Sequence, residues 1–393
     1  MKQLKKVFYV FLLVLLAGQL PGCGAKKMQD ADMAPVFYPE EPNLPRYQFL
    51  ASFTSSSDIE QEGSKFDAFV TGKRKIIRRL DKPYGVSLHD GKIYVCDTND
   101  TVRVFDLKNN KYSALEGSKG IGKVVQPLNI SIDQNGLKYV SDPVRGQVIA
   151  YDSKDFYVKA YGEPGAWWKP VDAVPYEGFL YVADAKNKEI KVFDLETGKL
   201  MTSFGRKENS EDNLAIPTNV AIDEEGYIYV SDAGRFQILK YDRDGHLRDT
   251  IGKAGQGAGF FARPRGVAVD KKGRLYAVDA AFNTVQVFRA NGNLLTFFGK
   301  GGKDRGEFNL PAEVAIDYDS VDLFKKYAAP NFEIEYLVIV TSQFGDRMVN
   351  VFGFGQDTTK HYPTEEELRK QMQERMELFK KQQEKETGDQ GGK

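Results

Sequence analysis

The stretch Pro217-Thr218-Asn219-Val220-Ala221-Ile222-Asp223 runs on to Ile228-Tyr229-Val230-Ser231-Asp232 and then to Ile238-Leu239-Lys240-Tyr241-Asp242. The same phrase opens at Pro83, Pro127, Pro170, Pro217, Pro264 and Pro311, at intervals of 44, 43, 47, 47 and 47 residues. A fixed period of that length marks one supersecondary unit copied in series. Within each copy, short apolar runs rich in Val, Ile, Tyr and Phe are broken by turns such as Asp244-Gly245, Asn291-Gly292 and Thr197-Gly198. Runs and dipeptides of this kind are strands joined by hairpins. The fourth copy reads as strands at 218–222, 227–231, 237–241 and 247–251. Four antiparallel strands repeated six times around an axis make an all-β, six-bladed β-propeller.

The sixth copy has strands at 312–317, 336–342 and 347–352, and the pattern then stops. Upstream, Phe49-Leu50-Ala51-Ser52-Phe53 matches the outermost strands Leu200-Met201-Thr202-Ser203-Phe204 and Asn293-Leu294-Leu295-Thr296-Phe297. The N-terminal strand is therefore expected to complete the last blade, covering edges that an open ring would expose. This bounds the propeller at 47–356.

Three phrases recur: a Pro-x-x-Val-Ala-x-Asp opening, a Tyr-Val-x-Asp second strand and a Val-x-Val-Phe third strand. With the inter-blade stretch from Gly299 through Phe308 to Pro311, they make residues 47–353 resemble the NHL repeat family. The WD-type repeat has a similar period, but no Trp-Asp or Gly-His pair recurs here. The resemblance implies a rigid disc whose loops bind or assemble other molecules.

The chain ends bear on compartment. Residues 1–22 begin with Lys2, Lys5 and Lys6 and continue as an apolar run from Val7 to Gly18, too short for a membrane span and suited to a secretory signal. Leu20-Pro21-Gly22-Cys23 resembles a bacterial lipobox, with Pro21 where that motif has a small or β-branched residue. Cys23 is thus the candidate lipidation site, and ordinary cleavage near Gly22 or Ala25 is the alternative. Gly24 rather than Asp after it points to the outer membrane by family analogy. Residues 23–46, with four prolines, read as an extended tether. With Cys23 acylated, Cys96 is the one remaining thiol, a small core residue with no internal disulfide available.

The precursor has formal net charge zero, and losing three lysines leaves the exported chain slightly acidic. That balance, with export, argues against nucleic acid as a partner. A protein of the cell envelope is the expected partner. Residues 357–393 form a charged tail, with a capping box at Thr364–Glu367 opening a helix over 364–386. Its apolar stripe of Leu368, Met372, Met376 and Phe379 is either local packing or a docking face.

Asp97, Asp142, Asp184, Asp232 and Asp279 end the second strands and recur with the fold, so they read as turn scaffolding, and Gln343 replaces them in the sixth copy. The position two residues after each opening Pro discriminates better. It is Gly at 85 and 266, but Asn129, Asp172, Asn219 and Glu313 elsewhere. These four are expected to ring the mouth of the central channel, where they are suitable oxygen ligands for Ca²⁺ or a similar hard cation. They also suit a simple polar lining of a wet channel. In kind and location they resemble the metal-binding set of six-bladed gluconolactonase and paraoxonase-like propellers, which implies a metal-dependent lactonase or hydrolase as the alternative to a scaffold. The local Pro-Asn-Gly and Pro-Asp-Gly phrasing of those enzymes is absent.

Zinc chemistry is disfavoured, since His89, His246 and His361 have no ligand spacing. No Cys-x-x-Cys-His is present, so the chain carries no haem of its own. No catalytic nucleophile motif appears either. Two features suit a partner on the top face: the run Lys73, Arg74, Lys75, Arg78 and Arg79, and Trp168, the extra aromatic beside Trp167. Here the top is the face where each innermost strand starts. The meander then places the tether, the tail and the insertion 318–335 on the bottom, facing a membrane.

Overall fold

The computed structural model describes residues 34–60, 76–166, 168–206 and 213–364, with Glu366, Glu367, Lys370, Gln373, Glu374 and Glu377 of the tail. The chain divides into Met1–Ala34, of which only Ala34 is described, and Pro35–Lys393, which carries the fold. The signal segment, Cys23, Lys73, Arg74, Lys75, Trp167 and the tail's apolar stripe lie outside the described residues.

Six antiparallel sheets stand around one axis, and each innermost strand touches the next in a closed ring. Those strands are Pro83–His89, Asn129–Ile132, Pro170–Tyr176, Pro217–Ile222, Pro264–Val269 and Pro311–Asp317, of blades one to six. Five of the six begin at the repeating proline, and the first residue of a strand tolerates a missing N–H. The core is six apolar clusters, each lying between two neighbouring sheets. Tyr94, Val102 and Val104 of blade one meet Ile130, Val140 and Ile149 of blade two, for example. Alternate residues of a strand face opposite neighbours, so both faces are apolar, and each fully buried Val, Ile or Leu contributes roughly 1.5–3 kcal/mol.

The ring closes as expected. Tyr47–Phe53 pairs antiparallel with Val349–Asp357, from Tyr47 opposite Phe354 to Phe53 opposite Val349. Blade six departs from the others in two ways. Its second and third strands, Phe332–Ser342 and Val349–Asp357, have 11 and 9 residues, longer than the 336–342 and 347–352 of the repeat pattern. It also has a fifth strand, Val36–Tyr38, paired with Tyr47–Phe49. Part of the stretch expected as tether is therefore in the fold. Tyr38 is buried there and donates its hydroxyl to the Gly306 carbonyl at 3.0 Å. This strand runs antiparallel to Tyr47–Phe53, so the chain arrives heading toward the bottom face, and the expectation that it enters from that face is corrected. The insertion after Asp317 folds into a short helix, Val321–Phe324, whose Phe324 seals the cluster between blades six and one.

In the tail, Glu366, Glu367, Lys370, Gln373, Glu374 and Glu377 are helical and exposed. The capping box is formed: the Thr364 N–H donates to Glu367 Oε2 at 2.6 Å, and the Glu367 N–H donates to Thr364 Oγ1 at 3.2 Å.

Candidate functional site: the axial polar cluster

Asn129, Asp172, Asn219 and Glu313 converge, from blades two, three, four and six. All four are buried. Asn129 Nδ2 and Asn219 Nδ2 both donate to Glu313 Oε2, at 2.7 and 2.5 Å. Glu313 Oε1 accepts the N–H of Val314 at 3.0 Å. Asp172 accepts two backbone N–H groups, Ala173 on Oδ1 and Val220 on Oδ2, both at 2.8 Å. The two glycines of the ring leave the space these side chains fill. A Cβ at Gly85 would stand 2.2 Å from Asn129 Oδ1, and one at Gly266 2.5 Å from the Glu313 Cα.

Among the described residues no cation pairs with either carboxylate to hold it charged. Burial pushes the Asp172 carboxyl up to about 7, against the backbone N–H groups that pull it down. Burial, and beyond it the charge of Asp172, pushes Glu313 well above the usual carboxylate range. Asn219 Oδ1 is buried with no hydrogen-bond partner. Two unneutralised carboxylates and an orphaned amide oxygen in one small volume fit a hard cation. A flipped Asn219 amide presents oxygen instead of nitrogen to the same point, and amide orientation is assigned from the hydrogen-bond network. The residues present thus accept the ion that the channel-mouth reading implies. Beside the cluster, Arg265 donates to Gln343 Oε1 at 3.2 Å and lies over the Tyr84 ring at 5.5 Å. Gln343, which breaks the repeating aspartate, therefore holds a buried arginine.

The repeating aspartates are turn scaffolding. Asp232 accepts four backbone N–H groups: Ala215 at 2.6 Å, Ile216 at 2.9 Å, Gly234 at 2.9 Å and Arg235 at 3.0 Å. One carboxylate ties the linker before a blade to the turn after its second strand. Cys96 is fully buried, and burial pushes its thiol well up.

Of the two partner features, the structure describes Trp168 and, from the basic run, only Arg78 and Arg79. Trp168 is buried, not exposed. Its indole N–H donates to the Gly146 carbonyl at 2.7 Å, its ring centroid lies 5.7 Å from that of Phe193, and its Cζ2 covers Gly162. Phe261 covers Gly252 and Phe308 covers Gly299 in the same way, each glycine having φ near +80°. The linker from Gly162 to Pro170 is shorter than those two, which brings Trp168 rather than Trp167 onto the glycine. Of the basic run, Arg78 pairs with Glu60 at 2.8 Å and stacks on Tyr112, and Arg79 donates to the Gly345 carbonyl at 2.5 Å. These two pin the loop to the disc.

Sequence reading passed over two other sites. Asp242, Asp244 and His246 gather their ligand atoms within 4.8 Å. Asp242 is already occupied, however, by the N–H groups of Asp244 and His246 and by Arg248. The second is a cleft of about 1050 Å³ on the bottom face between blades five and six. Its wall is the overlong part of blade six, a length that the repeat pattern does not carry.

No family model and no curated protein matches the chain. Among solved structures it is similar to a protein of unknown function from Bacteroides thetaiotaomicron, with 15% identity over 78% of this chain and 75% of that chain, at a TM-score of 0.57. It is also similar to a catalytically inactive virginiamycin B lyase from Staphylococcus aureus with quinupristin (13% identity, 70% and 96% covered, TM-score 0.49). A streptogramin B lyase gives 11% identity over 71% and 85%, at 0.49. At these identities the likeness concerns the fold: the chain is a six-bladed β-propeller.

Proposed function

We propose that this chain is a binding propeller of the NHL type, exported, held at an envelope membrane through Cys23, and serving as a scaffold for an envelope protein or ligand. The observation that carries this reading is the state of the axial cluster. Its side chains are spent on one another and on backbone N–H groups, and all four are buried. A reacting substrate needs a carboxylate it can touch, and here none faces solvent. The glycine-seated aromatics and the aspartate-tied turns make a stiff disc, which suits presentation of fixed loops.

One observation favours a second reading. The unpartnered Asn219 Oδ1 beside two carboxyls with raised pKa supports a divalent cation held by Asp172, Glu313 and the two asparagines. Such an ion would polarise a lactone or ester carbonyl if the mouth opened. Metal content of the full chain, purified in mild detergent without tag or chelator, tests both. No bound divalent ion in a folded protein, and none taken up from millimolar calcium, leaves the scaffold. One equivalent of calcium that disappears in Asp172→Ala moves the hydrolase reading ahead.

A further inference from the structure

The cleft between blades five and six is walled by groups that are held in place before any ligand arrives. On one side Arg274 donates to Asp270 at 2.5 Å and to the Tyr336 hydroxyl at 2.8 Å, and lies over the Phe354 ring at 4.3 Å. Behind it, the hydroxyls of Tyr336, Tyr276 and Tyr47 are linked at 2.6 and 3.0 Å. Near it, the Arg46 guanidinium lies over the Tyr362 ring at 4.2 Å. Tyr362 is itself fixed, donating to the Pro45 carbonyl at 2.7 Å and accepting the Asp357 N–H at 3.0 Å.

The charges do not balance. Lys272 is satisfied by Glu335 at 2.7 Å, and Arg274 by Asp270. Arg46 has no carboxylate within 4 Å among the described residues, although it is half buried. Burial lowers its pKa, against the pull of Tyr362, and neighbouring Arg274 lowers it further. Arg289 lines the cleft from the turn between the last two strands of blade five, and its guanidinium is likewise without a carboxylate partner there. Glu333 and Glu335 also line the cleft, and Glu335 acts on Arg46 from a distance, but neither pairs with it. A half-buried cation placed beside another cation, with no directly paired carboxylate, gains from an anion that joins it. Planar guanidiniums with several free donors favour a tetrahedral, multi-oxygen anion. The remaining lining includes Val287, Leu295 and Phe354, so the volume far exceeds a bare ion and has an apolar part.

We propose that this cleft binds a phosphate ester, with Arg46 and Arg289 on the phosphate and the apolar lining on the body of the molecule. The ester is either a free metabolite or the headgroup of a phospholipid, and the site lies apart from the axial cluster.

The test uses the full chain in nonionic detergent, with glycerol 3-phosphate as the soluble probe, and vesicles of phosphatidylglycerol or phosphatidylcholine at equal ionic strength. Wild type is expected to bind glycerol 3-phosphate saturably by calorimetry. In Arg46→Gln/Arg289→Gln the affinity falls at least tenfold, while Arg248→Gln/Lys108→Gln, with the same charge removed elsewhere, binds as wild type. Should the first double variant fail to fold, Arg289→Gln alone, at an exposed position, is expected to weaken binding several-fold. Retention on phosphatidylglycerol vesicles that glycerol 3-phosphate displaces assigns the lipid headgroup, and binding of the soluble ester without vesicle retention assigns a metabolite. Equal affinity in wild type and Arg46→Gln/Arg289→Gln overturns the proposal, as does absence of saturable binding to both probes.

Discussion

Asn129 and Glu313 stand 184 residues apart and join across the axis, the Nδ2 of one donating to the Oε2 of the other at 2.7 Å. Glu313 accepts a second amide, from Asn219, so three blades are tied at one oxygen. The bond ties the packing of the disc's centre to the protonation of Glu313 and Asp172.

That linkage has a sign. The carboxyls of Asp172 and Glu313 are both raised in the fold, so the folded chain holds protons that the unfolded chain releases. Their contribution is complete below the ordinary carboxylate pKa of about 4. The Asp172 share is lost as pH climbs through about 7, and the Glu313 share as pH climbs through its own raised value. In metal-free buffer the urea midpoint is expected to fall from pH 5 to pH 8. Asp172→Asn should flatten that fall while lowering the midpoint overall, because one backbone N–H loses its acceptor. Millimolar calcium that restores the midpoint at pH 8 would instead identify the cation reading.

Asp232→Ala should cost about 3 kcal/mol or more. It strips the acceptor from four backbone N–H groups, and each buried donor left unmet costs roughly 1–3 kcal/mol. Equilibrium urea unfolding measures this. A cost below 1 kcal/mol would contradict the scaffolding role.

Trp168→Ala should destabilise by about 3–5 kcal/mol, the usual range for emptying a large aromatic site. Trp168→Phe should lose less, since it keeps an aromatic ring against Phe193 while forfeiting the bond to the Gly146 carbonyl and part of the cover over Gly162. Thermal melts of the two variants rank them. Loss of partner capture in Trp168→Ala without loss of stability would restore the anchor reading.

Gly266→Ala tests the axis from the other side. Its Cβ would sit 2.5 Å from both the Cα and Oε1 of Glu313. Backbone cannot retreat as a flexible side chain can, so a loss of at least 1–3 kcal/mol is expected by analogy with overpacked cores. Gly85→Ala meets the Asn129 Cα at 2.5 Å and should behave alike.

What was legible in the sequence follows from what repeats. The strands are short, apolar on both faces and punctuated by turn dipeptides, so their number, order and closure by Phe49–Phe53 are written six times over. The four axial residues were legible for the opposite reason: they depart from glycine at a position that the repeat defines. The cleft was not, because Arg46 is more than two hundred residues from Arg274 and Arg289 of blade five, and the wall they share is the non-repeating length of blade six. Trp168 was misplaced by one residue, since a shorter linker shifts which aromatic reaches the glycine. The fifth strand, Val36–Tyr38, was hidden among prolines that read as tether.

The pairing of Tyr47–Phe53 with Val349–Asp357 also sets an order of events. A chain made or delivered N-terminus first presents two strands of blade six, Val36–Tyr38 and Tyr47–Phe53, at the outset and their three companions only at the end. Five blades can form while Tyr47–Phe53 waits, the edge that faces Val349–Asp357 unmet, until some three hundred further residues have arrived. Contacts at such sequence separation form late and slowly. Truncation anywhere before Asp357 therefore leaves an unfinished seam rather than a smaller disc, and the waiting strand is where a holding chaperone would have most to protect.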